Sequence, residues 1–305
     1  MQIPHIPVLL DEVLDIFKDI DNGYFLDTTL GYGGHSEAIL KAHNNIKLIA
    51  CDQDQEAIDF STKRLENFSN RIKIIKTNFK DVLDKIDNKD KLLGILVDLG
   101  MSSLQIDKNE RGFSINSDFL DMRMNIDDKL NAYEVVNHYT QDKLEYIFKY
   151  YGELKDYKII TNNIIQARQK KPIQNAKELT KIINTKSIRN NYISKAILAF
   201  QAIRIEVNDE LKVLQSFLQI LEKLKIKNCT IAIISFHSLE DRIVKNMFKK
   251  WTQFCKCDNL VLKCECDKNN ILGKIINKKV IIPTALECKN NPRASSAKMR
   301  VFRFD

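Results

Sequence analysis

Short apolar segments alternate with helical patterns over the first hundred residues of the chain. The apolar segments are rich in β-branched residues, which is typical of buried strands. They span residues 24–27, 47–52, 72–75 and 94–98, with helical patterns at 8–17, from 36 and at 55–65. Strands that alternate with helices in this way form a parallel sheet covered on both faces. The sequence therefore predicts a doubly wound α/β domain.

After residue 104 the apolar positions recur at helical spacing without a strand pattern between them. Thr140 is the predicted N-cap of one of these helices. A β-branched apolar run returns only at 230–235, after a helix with leucines on one face. Because this late strand must join the sheet that the early strands begin, the helical part is an insertion. We predict residues 1–104 and 206–305 as the two parts of the α/β domain and 105–205 as an inserted all-helical domain.

Three of the nine glycines lie within four positions, at Gly31, Gly33 and Gly34, between a predicted strand and a predicted helix. Glycine lets backbone N–H groups approach a ligand closely, and the helix N-terminus adds a positive dipole end. Asp52 ends the next strand, where a carboxylate accepts hydrogen bonds from ribose hydroxyls. The third glycine of a dinucleotide turn is missing, which favours S-adenosylmethionine over a dinucleotide. An ordinary strand–helix turn is the alternative.

Two further strand ends carry polar side chains. Asp98 ends the strand at 94–98 and is expected at the same sheet edge as the glycine turn, although an acid there can also cap a helix. His237 and Ser238 follow the late strand. A serine hydrolase is disfavoured, because the chain has no Gly-x-Ser-x-Gly elbow at this point. Ser238 with Asp241 is typical of a helix cap, which leaves His237 as a substrate-contact residue.

The segment 110–124 combines charged residues, aromatic residues and methionines without clean periodicity. Arginine and aromatic side chains beside a cofactor crevice suit an RNA base, which stacks on a ring or a guanidinium plane. A seal between the two domains is the alternative.

The net charge of +8 is concentrated near the C-terminus, because residues 242–305 contain 15 Lys and Arg against 5 Asp and Glu. A basic segment of this kind fits a polyanionic substrate, and a solvated lysine-rich surface is the alternative. The N-terminal residues resemble no signal segment and no apolar stretch is long enough to span a bilayer, so we expect a cytoplasmic protein without a membrane partner.

Seven cysteines without a signal segment indicate reduced thiols rather than disulfides. Four of them form two pairs with a single residue between the members of each pair. Zinc accepts four thiolates, but well-attested zinc knuckles have wider spacing within each pair, so unliganded thiols are favoured. The four are Cys255, Cys257, Cys264 and Cys266.

Several sequence blocks, in this order, resemble the bacterial 16S rRNA cytosine-N4 methyltransferase family of the MraW or RsmH type. The blocks span nearly the whole chain. They are His5-x-Pro7-Val8-Leu9-Leu10-Asp11-Glu12, Asp27-x-Thr29-x-Gly31-x-Gly33-Gly34-His35-Ser36, Asp98-Leu99-Gly100-x-Ser102-Ser103, Glu110-Arg111-Gly112-Phe113-Ser114, Leu120-Asp121-Met122-Arg123-Met124, Phe200-Gln201-Ala202-x-Arg204-Ile205-x-Val207-Asn208, Ser235-Phe236-His237-Ser238-Leu239-Glu240-Asp241-Arg242 and Asn291-Pro292-Arg293-Ala294.

This resemblance implies a Rossmann-like class I methyltransferase fold with an inserted helical substrate-recognition domain. It implies methylation of the exocyclic N4 of a cytidine in the decoding region of 16S rRNA, cytidine 1402. It also implies S-adenosylmethionine as the cofactor and a reaction that requires no metal. The implied cofactor contacts are Gly33, Gly34, His35, Asp52, Phe79, Asp98 and Gln105. The expected catalytic residues are Asp98, Ser102 and His237, and the expected RNA contacts are Arg111, Phe113, Arg123 and Arg293.

Two other functions remain open at this point. One is a non-catalytic RNA-binding assembly factor that keeps the cofactor fold, and the other is a nicotinamide-dependent oxidoreductase, which the missing third glycine disfavours. For the methyltransferase, the expected partner is 16S rRNA within an assembled or nearly assembled small ribosomal subunit. Whether the chain forms a homodimer is left open.

Overall fold

The protein is described here by a computed structural model that covers residues 6–183, 195–253 and 271–305. It divides into two compact units. The sheet unit comprises Met1–Gly100 and Lys212–Asp305, and the helical unit comprises Met101–Leu211. Each unit has its own apolar core.

The sheet unit is built on seven strands in the order β3-β2-β1-β4-β5-β7-β6. The first five in this order pair in parallel, whereas β7 is antiparallel to both of its neighbours. The strands are β1 (Tyr24–Asp27), β2 (Lys47–Asp52), β3 (Ile72–Lys76), β4 (Leu92–Asp98), β5 (Thr230–Ser235), β6 (Gly273–Ile275) and β7 (Lys298–Phe304). The predicted Rossmann-like doubly wound sheet is confirmed.

Helices cover both faces of this sheet. The helices that lie wholly or mainly in the sheet unit are α1 (Leu10–Phe17), α2 (Gly34–Ala42), α3 (Gln55–Arg64), α4 (Phe79–Val82), α11 (Glu210–Leu224), α12 (Ser238–Trp251) and α13 (Ala285–Asn290). Neighbouring residues of β1 show why both faces are apolar, since Phe25 belongs to one core and Leu26 to the other. Successive side chains of a strand point to opposite faces, so a sheet buried on both sides needs continuous apolar runs. This explains why all of β5 is buried.

The helical unit contains no strand within its described residues. Its helices are α5 (Ser103–Asp107), α6 (Ala132–His138), α7 (Gln141–Tyr150), α8 (Tyr157–Lys170), α9 (Ala176–Ile183) and α10 (Lys195–Asn208). The Thr140 side chain accepts a hydrogen bond from the backbone N–H of Lys143, which confirms the predicted N-cap of α7. Buried apolar residues from all of these helices except α5 form one core. In chain order the helical unit lies between the two segments of the sheet unit, and the domain bounds 1–104, 105–205 and 206–305 stay a prediction.

The strand β7 was missed by the sequence analysis. Its residues alternate imperfectly, with Met299, Val301, Phe302 and Phe304 buried and the intervening cations half-buried. Arg300 forms a two-pronged ion pair with Asp241 of α12, with N–O distances of 2.6 and 3.0 Å. Because three of its seven residues are basic, this strand shows no clear apolar pattern in the sequence.

No helix in the described part of the chain combines the length and the apolar character that crossing a bilayer requires.

Phe302 is the centre of an aromatic cluster between β7 and α12. Its ring centroid lies 5.3 Å from that of Phe248, 5.2 Å from Trp251 and 5.0 Å from Phe304. We expect Phe302→Ala to lower the free energy of unfolding by about 3–5 kcal/mol, because it leaves a cavity among these rings. Urea denaturation measures the change. The control is Leu286→Ala, whose side chain is 68% exposed and which should change stability by less than about 0.5 kcal/mol.

Candidate active site at the carboxyl edge of the sheet

The glycine-rich turn joins β1 to α2. Gly33 donates its N–H to the carbonyl of Leu30 at 2.7 Å and has a φ of 73°, a left-handed conformation that favours glycine. A Cβ on Gly34 would lie 2.4 Å from Cγ of Pro7, so a side chain there would displace the N-terminal segment. Ser36 occupies the position of the third glycine of a dinucleotide turn and is fully buried. The turn is therefore tight, as its sequence predicts.

Asp27, at the end of β1, is a structural acid that the sequence analysis did not single out. Its Oδ2 accepts a hydrogen bond from the Ser36 hydroxyl at 2.7 Å, and its Oδ1 accepts one from the Thr29 N–H at 3.1 Å. Burial raises the pKa of Asp27, and these hydrogen bonds oppose the shift. Both carboxylate oxygens are thus engaged in fixing the glycine turn.

Asp52, at the end of β2, receives two backbone N–H groups. Gly31 donates to Oδ2 and Asp54 donates to Oδ1, each at 2.9 Å. Burial raises the pKa of Asp52 to about 6, although the backbone hydrogen bonds oppose the shift. A carboxylate oxygen has capacity for a second hydrogen bond, so Asp52 can still accept from ligand hydroxyls. Above pH 6 it is mainly ionised and suited to that role.

Asp98, at the end of β4, is the acid whose oxygen is left unsatisfied. Oδ1 is buried and has no hydrogen-bond partner among the described residues. Its Oδ2 lies 3.8 Å from Nδ1 of His35, too far for a hydrogen bond. Burial raises the pKa of Asp98 well above its ordinary value, and the negative charges of Asp27 and Glu240 raise it further. A buried acceptor of this kind is stabilised when a ligand supplies a donor.

His35 is the second residue of α2 and is buried beside Asp98. Its Nε2 lies 3.0 Å from the carbonyl oxygen of Val8. Because a carbonyl only accepts, Nε2 carries the proton, and Nδ1 of the neutral ring presents a lone pair toward Asp98.

His237 follows β5 and is the N-cap of α12. Its Nδ1 accepts a hydrogen bond from the Glu240 N–H at 3.4 Å, and Glu240 accepts from the backbone N–H groups of Phe236 and His237. The prediction that Ser238 caps this helix is wrong. Ser238 is the first residue of α12, and the imidazole of His237 caps the helix in place of a serine hydroxyl. The side chain of His237 is only 7% exposed. Its expected contact with the substrate stays a prediction.

Phe79 begins α4 and is half-buried. Its ring meets Phe217 edge-on, with centroids 5.5 Å apart. The backbone N–H of Thr77 donates to the carbonyl of Asp52 at 2.9 Å, which brings the end of β3 beside the end of β2. Phe79 therefore packs against the core of the sheet unit. It also comes shortly after β3, whose end lies beside Asp52 at the end of β2.

The remaining residues expected to bind cofactor or RNA lie on other elements. In the helical unit, Ser102 and Gln105 cap α5, since each backbone N–H donates to the other's side chain, at 3.1 and 3.3 Å. In the sheet unit, Arg293 is exposed in the short helix Pro292–Ser296. His5 and the four paired cysteines lie outside the described residues.

Three residues that we expected to contact RNA are engaged inside the helical unit. Arg111 is 5% exposed and donates to the carbonyls of Arg123 and Met124, at 2.9 and 3.0 Å. Arg123 forms a two-pronged ion pair with Asp121, at 2.8 and 2.7 Å. Phe113 is in the apolar core. These side chains shape the segment 110–128, and their contact with RNA stays a prediction.

Asn208, at the end of α10, fixes the same segment and was given no role by the sequence analysis. Its Oδ1 accepts from the Met124 N–H at 2.7 Å, and its Nδ2 donates to the Met122 carbonyl at 2.8 Å. Met122 has a φ of 62°, a conformation that is rare for residues other than glycine. The side-chain amide of Asn208 thus binds the backbone both at Met122, whose conformation is strained, and at Met124.

The comparisons with known proteins identify the family. The family model of the MraW methylase family matches residues 2–305. The chain belongs to this family.

Relatives in this methylase family are similar over their full length. The Ribosomal RNA small subunit methyltransferase H of Campylobacter jejuni subsp. jejuni serotype O:6 is 60% identical, over 100% of this chain and 98% of that protein. The protein of the same name from Campylobacter lari is 55% identical, over 100% of both chains. The crystal structure of an rRNA methylase from Streptococcus thermophilus aligns with 98% of each chain at 9% identity and a TM-score of 0.40. The sequence match, not this likeness, establishes the MraW family.

We expect Asn208→Ala to lower the free energy of unfolding of this MraW family chain by about 1–3 kcal/mol, because it leaves two buried backbone groups without a partner. Amide hydrogen exchange across residues 120–128 should accelerate. Urea denaturation and hydrogen-exchange mass spectrometry measure the two effects. Ile126→Ala, in the same segment but 53% exposed, is the matched control. Unchanged exchange in the Asn208 variant would contradict the role given to this amide.

Proposed function

We propose that the protein transfers a methyl group from S-adenosylmethionine to the exocyclic N4 of a cytidine in the decoding region of 16S rRNA, cytidine 1402. Full-length similarity to proteins named Ribosomal RNA small subunit methyltransferase H supports the reaction class and the RNA. The single structural observation that carries the site is the buried, unpartnered Oδ1 of Asp98, at a sheet edge shared with Asp52 and the glycine turn.

The residues of this edge fit the cofactor. Asp52 accepts hydrogen bonds from ribose hydroxyls, and the turn at Gly33 and Gly34 lets a ligand approach the backbone closely. Phe79 contributes an apolar surface for the adenine. Gln105 and His35 are further proposed contacts. Ser36, bonded to Asp27, fills the place of the third glycine, which disfavours a dinucleotide.

The cofactor supplies a methyl group made electrophilic by its bond to a sulfonium. The chain must position the cytosine amine in line with that methyl and make its lone pair available. An acceptor for the amino protons does both, since the lone pair is otherwise delocalised into the ring. Methylation forms the N–C bond, breaks the S–C bond and requires N4 to lose one proton.

Asp98 is the proposed acceptor of that proton, at Oδ1. Its raised pKa makes the ionised carboxylate a stronger base than an exposed aspartate, and only this ionised form can take the proton. Ser102 and His237 are proposed to border the base. The cytidine must be unpaired or extruded to reach such a site. The proposed partner is 16S rRNA in an assembled or nearly assembled small subunit.

Asp98→Asn should lower methyl transfer to small ribosomal subunits at least about 100-fold, because the amide cannot take the amino proton. Labelled methyl incorporation measures the loss, and mass spectrometry of the RNA maps the methylated nucleotide. Asp15→Asn, at an exposed acid paired with Lys18, is the control and should keep full activity. Full activity of the Asp98 variant would contradict the proposed base, and wild-type protein that transfers no methyl would contradict the function.

The same variant should become more stable relative to the wild type as the pH rises above the ordinary aspartate pKa of about 4. Because the pKa of Asp98 is raised in the folded state, the wild type loses stability as the pH rises through that pKa, whereas asparagine does not titrate. Thermal unfolding at several pH values measures the difference. If the Asp98→Asn variant gains stability but loses methyl transfer, the charge of Asp98 serves the activity rather than the stability of the fold.

The affinity for S-adenosylmethionine should fall by up to about tenfold between pH 7 and pH 5. Asp52 has a pKa of about 6, and protonation removes an acceptor for the ribose hydroxyls. Isothermal titration calorimetry measures the affinity. Asp52→Ala should bind about tenfold more weakly at pH 7 and lose most of this pH dependence. An equally steep profile in the variant would assign the effect to another group.

A further inference from the structure

Helix α7 presents two half-exposed tyrosines on one side. Tyr146 is 52% exposed and Tyr150 is 50% exposed, and residues four apart are neighbours on a helix surface. Their ring centroids are 4.8 Å apart, with the ring planes at 48°. The opposite side of the helix, with Leu144, Ile147 and Phe148, is buried in the core. The exposed rings are therefore not required to complete that core.

Two lysine ammonium groups lie against tyrosine rings in the same region. Nζ of Lys149 is 5.0 Å from the ring centroid of Tyr150 and 5.6 Å from that of Tyr157, and Nζ of Lys143 is 5.0 Å from that of Tyr139. Within the described residues, neither lysine forms an ion pair with a carboxylate. We name the set Lys143, Tyr146, Lys149, Tyr150 and Tyr157 the α7 surface.

The acids nearest in sequence leave the charge of these lysines available. Asp156 pairs with Lys195, and Glu145 accepts a hydrogen bond from Gln141 of its own helix at 2.9 Å. Asp142 and Glu153 are exposed. The α7 surface thus combines flat aromatic faces with cations that contact rings rather than carboxylates.

We propose that the α7 surface binds unpaired nucleotides of the RNA substrate, with bases stacked on Tyr146 and Tyr150 and phosphates beside Lys143 and Lys149. This inference rests on the proposed function. Single-stranded RNA is recognised by rings that stack on exposed bases and by cations that neutralise phosphates. The α7 surface offers both, with its two lysines, Tyr146 and Tyr150 on one helix. Paired bases hide their faces, so a duplex gains only the lysine contacts. A decoding region with unpaired nucleotides therefore fits better than a duplex.

The test measures RNA binding separately from methyl transfer. The probe is a fluorescently labelled single-stranded oligonucleotide with the decoding-region sequence, and a paired hairpin of the same length is the comparison. We expect Tyr146→Ala with Tyr150→Ala to weaken binding of the single strand by the full-length protein about tenfold, as measured by fluorescence anisotropy. Tyr146→Phe with Tyr150→Phe should bind like the wild type, because phenylalanine still stacks. Binding of the hairpin should change less than twofold.

Lys149→Gln should lower the slope of log affinity against log salt concentration by about 0.7, the value for one phosphate contact to a single strand. Leu286→Ala, exposed in the sheet unit, is the control and should leave both measurements unchanged. Circular dichroism melting checks that each variant is folded.

Equal affinity of the alanine and wild-type proteins for the single strand would overturn the proposal and would leave the α7 surface as a contact for another protein. Equal loss for the single strand and the hairpin would also overturn it, since stacking on unpaired bases would then not be the interaction. Methyl transfer distinguishes the two proposals. A wild type that binds the oligonucleotide through these rings but transfers no methyl would refute the proposed function alone.

Discussion

The structure depends on how buried carboxylates at the ends of parallel strands are satisfied. Asp27, Asp52 and Asp98 end β1, β2 and β4, where burial disfavours each negative charge. Asp27 receives a hydroxyl and a backbone N–H, and Asp52 receives two backbone N–H groups. Both depend on the conformation of the glycine turn. The glycine turn is therefore fixed by hydrogen bonds to these carboxylates as well as by the backbone conformations that glycine allows.

Asp98 differs because the chain leaves Oδ1 unsatisfied. Its backbone N–H donates to the Thr29 hydroxyl at 2.8 Å, so the residue itself is anchored while its carboxylate is not. An unsatisfied buried oxygen destabilises the folded state, and a ligand donor removes that cost. Rigid strands keep the oxygen in place before the ligand arrives, which is the preorganisation that electrostatic catalysis requires. The proposed activity thus uses a group that lowers the stability of the protein without a ligand.

Much of this arrangement could be predicted from the sequence, because buried parallel strands give continuous apolar runs and end in the residues that face a ligand. The predicted ends at Asp52 and Asp98 coincide with the ends of β2 and β4. The cap of α12 could not be predicted, since a histidine replaces the hydroxyl residue that usually caps a helix. The strand β7 was not predicted, because its half-buried cations interrupt the apolar pattern.

The arginines of the segment 110–128 show a further limit of sequence reasoning. Composition alone cannot distinguish an arginine that binds phosphate from one that binds carbonyl oxygens, since both need the same fork of donors. Arg111 and Arg123 direct their guanidinium groups to backbone carbonyls and to Asp121. Asn208, an uncharged residue, also fixes this segment, because its side chain binds the backbone of both Met122 and Met124.

This internal use of arginine affects how the protein can attract RNA. A cation already bonded to protein oxygens contributes little to counterion release, because its phosphate contact would replace an existing interaction. Long-range attraction must therefore come from exposed cations such as the lysines of α7 and the basic residues of 271–305, where Lys274, Lys278 and Lys279 are exposed. The point charge of an exposed lysine attracts any polyanion. The proposed selectivity for an unpaired cytidine therefore rests on groups with directional requirements, namely the proposed stacking rings of α7 and the buried Oδ1 of Asp98.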